Sequence, residues 1–100
     1  MPSTDDAAVP DGSGVLDRAW QITPAVSVRP ESFGALLYHF GTRRLSFLKD
    51  PRLLDVVQRL SDAPSARQAC ADAGLTDSDL PAYSRALSTL VSTDMIRERA

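Results

Sequence analysis

Apolar residues follow two different periods along this chain, and the change comes near residue 50. Between residues 20 and 48 they alternate with polar residues or form short β-branched runs, which is typical of strands. Beyond residue 50 they recur every three or four positions, the spacing of an amphipathic helix. We therefore predict an α+β domain in which a three-stranded antiparallel sheet is followed by three helices, resembling a winged helix-turn-helix.

The strand region contains a hairpin signal. Residues 20–28 form the first predicted strand, which Pro24 restricts to an edge strand or a broken one. The next two strands flank Gly41-Thr42, where glycine at the first central position favours a two-residue type II′ turn. The side of the sheet that carries His39 is predicted to face outwards. The opposite face is the predicted core face, and it carries Leu36, Tyr38, Phe40, Leu45 and Phe47.

The three helices begin at recognisable capping signals. Asp50 followed by Pro51 suits the first helix, because aspartate accepts backbone hydrogen bonds and proline tolerates the first helical position. Ser65 and Gln68 have the spacing of a capping box at the start of the second helix. The third helix begins near Pro81, and its apolar stripe comprises Tyr83, Leu87, Leu90 and Val91.

The N-terminal segment differs in composition from the rest of the chain. Residues 1–17 contain prolines, glycines and aspartates and few large apolar side chains. Such a segment cannot bury enough surface to offset the loss of chain entropy on folding. We predict a disordered tail over residues 1–17 and one folded domain over residues 18–100.

Charge and composition argue against several functions. The 100 residues carry a formal net charge of −2, whereas a dedicated nucleic-acid-binding domain usually has a strongly basic surface. One cysteine and one histidine provide too few ligands for a zinc site, and no glycine-rich nucleotide-binding pattern is present. Neither a signal peptide nor an apolar run of about 18 residues is found. We therefore expect a cytoplasmic protein with no cofactor and no membrane contact.

Two residue types with catalytic potential occur once each, and neither indicates an enzyme. His39 lies on the predicted outer side of a strand, with no partner to position it as a base. Cys70 lies in an alanine-rich helix stripe, which is typical of a small buried residue. A small enzyme subunit remains one alternative to a binding protein. Another is a winged-helix transcriptional regulator, although the predicted recognition helix offers only Arg85 for contacts with DNA.

Basic residues surround the outer strand of the predicted sheet, namely Arg43, Arg44, Lys49 and Arg52. Cations at an edge strand discourage aggregation, which explains them without any ligand. They also suit a site where an acidic peptide adds to the sheet as one more strand through backbone hydrogen bonds. The residues alone leave both explanations open.

The hairpin region resembles a known protein family. The segment VRPESFGALLYHFGTRRLSFLKDPRLLDVV, with Trp20 upstream and the helices downstream, resembles the MftB family of mycofactocin biosynthesis chaperones. That family is similar to the PqqD-like RiPP recognition elements, and the resemblance covers residues 19–99. It implies a non-catalytic protein with three strands followed by three helices, which agrees with the prediction from periodicity.

The resemblance also implies partners. Such proteins hold the leader of a ribosomally made precursor peptide and present its C-terminal core to a radical SAM maturase. The implied partners are an MftA-like precursor peptide and an MftC-like enzyme that acts on a terminal Val-Tyr pair. This chain lacks the cysteine triplet that the iron–sulfur cluster of such an enzyme needs, so that chemistry belongs to the partner.

The resemblance finally implies a binding site. In the family the leader lies antiparallel to the third strand, in the cleft between that strand and the third helix. Carried over to this chain, the strand covers residues 43–48 and the cleft helix covers residues 83–90. The open alternative is that the apolar members of this set are core residues. The expected peptide-binding residues are Arg43, Arg44, Leu45, Ser46, Phe47, Leu48, Tyr83, Arg85, Leu87 and Leu90.

Overall fold

The computed structural model of the chain describes residues 13–99. A 3₁₀ turn, Leu60–Asp62, directly follows the helix that ends at Arg59. No helix in the described range is long and apolar enough to cross a membrane. The helices are α1 (Ser13–Leu16), α2 (Pro51–Arg59), α3 (Ala66–Asp72) and α4 (Leu80–Ser92). The strands are β1 (Trp20–Ile22), β2 (Val26–Glu31), β3 (Gly34–His39), β4 (Arg44–Leu48) and β5 (Ile96–Glu98).

The strands form two antiparallel sheets. β2, β3 and β4 make a three-stranded sheet with β3 in the centre, and this sheet with its helices confirms the predicted α+β fold class. The first predicted strand is broken around Pro24 into β1 and β2, as that proline allowed. β1 pairs with β5 instead of joining the larger sheet. No strand was predicted at β5, which has a single apolar residue, Ile96.

The two-residue turn predicted at Gly41-Thr42 implies a register that pairs residues 36 and 38 with residues 47 and 45. The β3–β4 hairpin has this register, but its turn is different. Residues 36 and 38 oppose residues 47 and 45, and the last pair is His39 with Arg44, so residues 40–43 form the loop. Arg43 adopts the left-handed conformation with φ 64°, and its N–H donates to His39 O at 2.8 Å. The reason for a glycine at position 41 is close packing and not a positive φ, since a Cβ there would lie 2.9 Å from the His39 ring.

The sheet buries the face that was predicted to point outwards. Leu37 is fully buried and His39 is only 5% exposed, and their neighbours on this inner face are Ala35 and Leu48, which are buried as well. The predicted core face is therefore wrong. Its side chains lie on the outer face, where Leu36 and Tyr38 are half-buried and Phe40, Leu45 and Phe47 are 61%, 53% and 58% exposed.

The position of α2 explains why the inner face is buried. α2 begins after a connection of only two residues, Lys49 and Asp50, and packs against β3 and β4. Its buried residues are Leu53, Val56 and Val57. The alternation along β3 and β4 could not reveal this, because both faces of the hairpin carry apolar side chains.

The folded part of the chain begins earlier than the sequence predicted. Val15 and Leu16 are buried, and Trp20 Nε1 donates a hydrogen bond to Val15 O at 2.7 Å. The tail was expected to extend to Asp17, so its last residues belong to the core instead. Residues 1–12, which make up the rest of the predicted tail, lie outside the described residues.

Hydrogen bonds confirm the predicted starts of α2 and α3. The Asp50 side chain accepts a bond from Arg52 N–H at 2.9 Å, and Ser65 Oγ accepts one from Gln68 N–H at 3.2 Å. The capping box of α3 is incomplete, however. The Gln68 amide donates to Asp72 at 2.9 Å instead of returning to the backbone of Ser65.

A polar contact ties the start of α4 to the end of β4. The Tyr83 hydroxyl donates a hydrogen bond to Asp50 Oδ2, and the other carboxylate oxygen of Asp50 caps α2. Burial and this hydrogen bond raise the pKa of Tyr83 to about 12. Asp50 therefore connects the edge strand, α2 and α4 through a single side chain.

A second polar contact ties the hairpin to the segment after α4. His39 Nε2 lies 3.0 Å from Asp94 Oδ2, while His39 Nδ1 accepts N–H bonds from Gly41 at 3.0 Å and Thr42 at 3.1 Å. Because Nδ1 accepts these two bonds, Nε2 is the nitrogen that donates a hydrogen bond to Asp94. This bond, with help from Arg97, holds the pKa of Asp94 below its usual range. The predicted outward position of His39 is therefore wrong. The sequence could not reveal this contact, because Asp94 lies 55 residues away.

The assignment of the two faces can be tested by truncating one residue on each. Leu37→Ala should lower the free energy of unfolding by about 2–5 kcal/mol, because it leaves a cavity in the core. Phe47→Ala should change it by less than about 1 kcal/mol, because the ring is mostly exposed. Urea denaturation of both variants would measure the difference, and a larger loss in Phe47→Ala would contradict the observed burial.

The Tyr83–Asp50 contact should make stability depend on high pH. The pKa of Tyr83 is raised from 10.0 to about 12 in the folded state. The contribution of the contact to the free energy of unfolding is therefore complete below pH 10 and is lost as the pH rises through about 12. Tyr83→Phe should cost about 1–2 kcal/mol at neutral pH and remove this alkaline dependence. Unfolding at several pH values would measure both effects. Tyr38→Phe is the control that should retain the dependence.

Candidate functional site

A groove separates the edge strand β4 from helix α4, with a volume of about 250 Å³. The strand contributes Ser46, Phe47 and Leu48, the helix contributes Ala86, Thr89 and Leu90, and α2 contributes Leu53. Leu48, Leu53 and Leu90 are also core residues, so the base of the groove is continuous with the hydrophobic core. Apolar side chains of a ligand can therefore enter this groove without desolvating charged groups.

The two polar contacts lie at opposite ends of the groove. Asp50, just after β4, contacts Tyr83 near the start of α4. His39 opposes Arg44 at the start of β4 and contacts Asp94 just beyond the end of α4. Strand and helix therefore run in opposite directions, fastened at both ends, with the groove between them.

Backbone pairing in β3 shows which groups of β4 are free. Phe40 N–H donates to Ala25 O at 2.9 Å, and residue 25 opposes residue 40 when the β2–β3 register is extended by one position. This pair is therefore hydrogen-bonded, and hydrogen-bonded pairs alternate with non-bonded pairs along an antiparallel ladder. It follows that residues 36 and 38 direct their backbone groups to β2, while residues 35, 37 and 39 direct theirs to β4.

The same alternation continues into β4. Arg44, Ser46 and Leu48 oppose the residues of β3 that bond to β4, so their backbone groups are used within the hairpin. Leu45 and Phe47 instead direct their N–H and C=O groups to the free edge of the sheet. This edge offers donors and acceptors to an added strand, and the groove lies directly beside it.

Cations flank the free edge without internal partners. Arg43, Arg44, Lys49 and Arg52 are all exposed. None of them forms an ion pair with another residue of the range 13–99. Their positive charge is therefore available, at both ends of β4, to attract acidic groups to this edge of the sheet.

The expected site residues fall into three environments. The residues of β4 line the edge and the groove, and Leu90 lines the groove from α4. Arg43, Arg44 and Arg85 are exposed. Leu87 is fully buried in the core and Tyr83 is half-buried and bonded to Asp50, so neither lines the groove. For these two residues the core alternative is the better description of their environment.

Three residues of the groove were not among the expected ones, namely Leu53, Ala86 and Thr89. Ala86 lies three residues after Tyr83 and four before Leu90, so the helical period of the expected stripe contained a signal for it. Thr89 borders that stripe. Leu53 had no such signal, because its position depends on how α2 packs under the sheet.

Comparison with known proteins places the chain in a family. The family model that matches the chain is described as the peptide chaperone MftB family, and the match covers residues 19–97. This range includes β1 to β4, the first two residues of β5 and the helices α2, α3 and α4, and thus the groove and the free edge. No solved structure matches the chain.

Three curated relatives carry the name peptide chaperone MftB. The protein from Mycobacterium tuberculosis is 55% identical over 83 residues, which cover 83% of this chain and 76% of its own length. The protein from Mycobacterium ulcerans is 49% identical over 96% of this chain and 88% of its own length. The protein from Mycolicibacterium smegmatis is 50% identical over 80% and 78%, respectively.

The family match and the curated relatives each cover most of the chain, the relatives are about half identical to it, and their names describe a chaperone and not an enzyme. The chain therefore belongs to the peptide chaperone MftB family.

Proposed function

We propose that this chain binds the leader of a ribosomally made, MftA-like precursor peptide and presents the peptide's C-terminal core to an MftC-like radical SAM maturase. The leader adds to the three-stranded sheet as a fourth strand beside β4. The observation that carries this proposal is the free edge, where Leu45 and Phe47 direct backbone donors and acceptors outwards.

The groove gives the added strand a place for its side chains. In an extended peptide successive side chains point to opposite faces, so every second residue of the leader faces α4. The apolar lining from Leu48, Leu53 and Leu90 favours aliphatic residues at those positions. Backbone pairing then supplies affinity while the groove supplies selectivity.

The exposed cations beside the edge indicate the charge of the ligand. Arg43, Arg44, Lys49 and Arg52 have no ion-pair partner among residues 13–99, and acidic residues of the leader would be attracted to them. Long-range attraction of this kind mainly raises the association rate and weakens with salt. Strand pairing persists at salt concentrations that would release a protein bound to DNA phosphates.

Calorimetric titration with the precursor peptide tests the proposed function. The full-length peptide should release heat with a saturable one-to-one profile, and the peptide without its leader should not. Moderate salt should reduce the affinity only slightly, and a short DNA duplex should give no heat. Equal binding of the full-length and leaderless peptides would contradict the proposal.

Substitutions at Phe47 separate the backbone from the side chain. Phe47→Pro removes the outward N–H, whereas Phe47→Ala keeps it and removes the ring. Since Phe47 makes no backbone bond to β3 by the derived pattern, the proline variant should stay folded yet bind the leader about tenfold more weakly than the alanine variant, or not at all.

The matched control for this comparison is Ser46→Pro, whose N–H bonds within the hairpin. This variant should lose thermal stability, which circular dichroism would detect. If Phe47→Pro and Phe47→Ala bound the leader equally well, strand addition at this edge would be wrong.

A further inference from the structure

The outer face of the three-stranded sheet is apolar and uncovered. The large apolar side chains with the highest exposure among residues 13–99 are Phe33, Phe40, Leu45 and Phe47, at 43%, 61%, 53% and 58%. Leu36 and Tyr38 lie between them and are half-buried. We call these six residues the outer apolar face. Monomeric proteins rarely expose so contiguous an apolar surface unless it binds something.

Contacts within this face give it a defined shape. The rings of Phe33 and Phe47 are 6.4 Å apart, and those of Tyr38 and Phe40 pack edge to face at 4.9 Å. These pairs join the two turns of the sheet to its central and edge strands. A surface whose rings are already packed loses little side-chain entropy when a partner covers it.

The charges around the outer apolar face are mostly positive. Arg29 opposes Leu36 across the β2–β3 pairing, Arg43 lies at the tip of the hairpin, and Lys49 follows β4, and all three are exposed. Within the described part of the chain, the acid on this side of the sheet is Glu31, which pairs with Arg29 at 3.0 Å. Arg43 and Lys49 remain unpaired there.

We propose that the outer apolar face is the docking surface for the enzyme that modifies the bound peptide, through an apolar patch bordered by acidic side chains. This proposal rests on the proposed function, since it concerns the second partner of the same site. A second copy of the chain is a poorer occupant, because face-to-face packing would bring the Arg43 and Lys49 cations of two copies together.

The location of the face beside the free edge supports this occupant. A leader that pairs with Leu45 and Phe47 becomes the fourth strand, so half of its side chains extend the outer apolar face. An enzyme docked there contacts both the chaperone and the ordered leader. The core of the peptide then stays close to the enzyme while its leader is held at the edge.

Substitutions in the two turns can test docking without altering the edge strand. Phe33 lies between β2 and β3, and Phe40 lies in the β3–β4 loop, so replacing them leaves the outward backbone groups of β4 in place. The test variant is the double substitution Phe33→Ser with Phe40→Ser. The matched control is Gln58→Ser, an exposed position of α2, which covers the opposite face of the sheet.

Binding of the purified radical SAM enzyme is measured by calorimetry for each variant, with and without the precursor peptide. The double variant should bind the enzyme about tenfold more weakly or worse, while its affinity for the peptide stays unchanged. Gln58→Ser should match the wild type. Lys49 is also one of the cations proposed to attract the leader, so Lys49→Gln is measured with the enzyme alone, where it should weaken enzyme binding and reduce its dependence on salt.

Three results would overturn the docking surface. The first is that the double variant binds the enzyme with wild-type affinity, and the second is an equal loss of affinity for the peptide, which would mean that the peptide covers this face. The third is a wild-type dimer that dissociates in the double variant. Light scattering after size exclusion detects the last. Failure of the wild type to bind the peptide, with enzyme binding still sensitive to the double substitution, would contradict only the proposed leader site.

Discussion

The two-residue connection between β4 and α2 constrains the rest of the structure. With only Lys49 and Asp50 between strand and helix, α2 has to pack on the sheet close to where β4 ends. Its apolar side covers Ala35, Leu37 and Leu48, and the inner face becomes the core. Because strand side chains alternate, this choice also exposes Leu45 and Phe47 on the opposite face.

Polar contacts connect α4 to the sheet at both ends of the groove. Tyr83 bonds to Asp50 at one end, and His39 bonds to Asp94 at the other. Between these contacts small side chains, Ala86 and Thr89, face β4. Larger residues at these two positions would fill the space that a peptide can occupy.

The two side chains that could take part in catalysis, His39 and Cys70, have structural roles instead. His39 is buried, and it organises the hairpin loop through Gly41 and Thr42. Burial raises the pKa of the Cys70 thiol, so this cysteine is a poor nucleophile at neutral pH. The site therefore consists of backbone groups, apolar surface and exposed cations, which suits the proposed binding of a peptide. A small domain can build such a site without a deep cavity.

The sequence by itself determined the local features. Residue spacing predicted the strands and helices, Gly41 and its flanking strands predicted the hairpin register, and the Asp50 and Ser65 caps appeared where expected. The likeness of the hairpin segment to a family of peptide chaperones was also visible in the residues. Each of these depends on interactions between neighbours in the chain or on a recognisable segment.

Only the tertiary structure decided which face of the sheet is buried, which backbone groups of β4 are free, and what His39 and Tyr83 do. Leu36 with Phe47 and Leu37 with Leu48 are equally plausible as core residues by hydrophobicity, so alternation could not choose between the faces. The choice depends on where α2 packs. The partners of His39 and Tyr83 lie 55 and 33 residues away, and contacts over such distances form only when the whole domain folds.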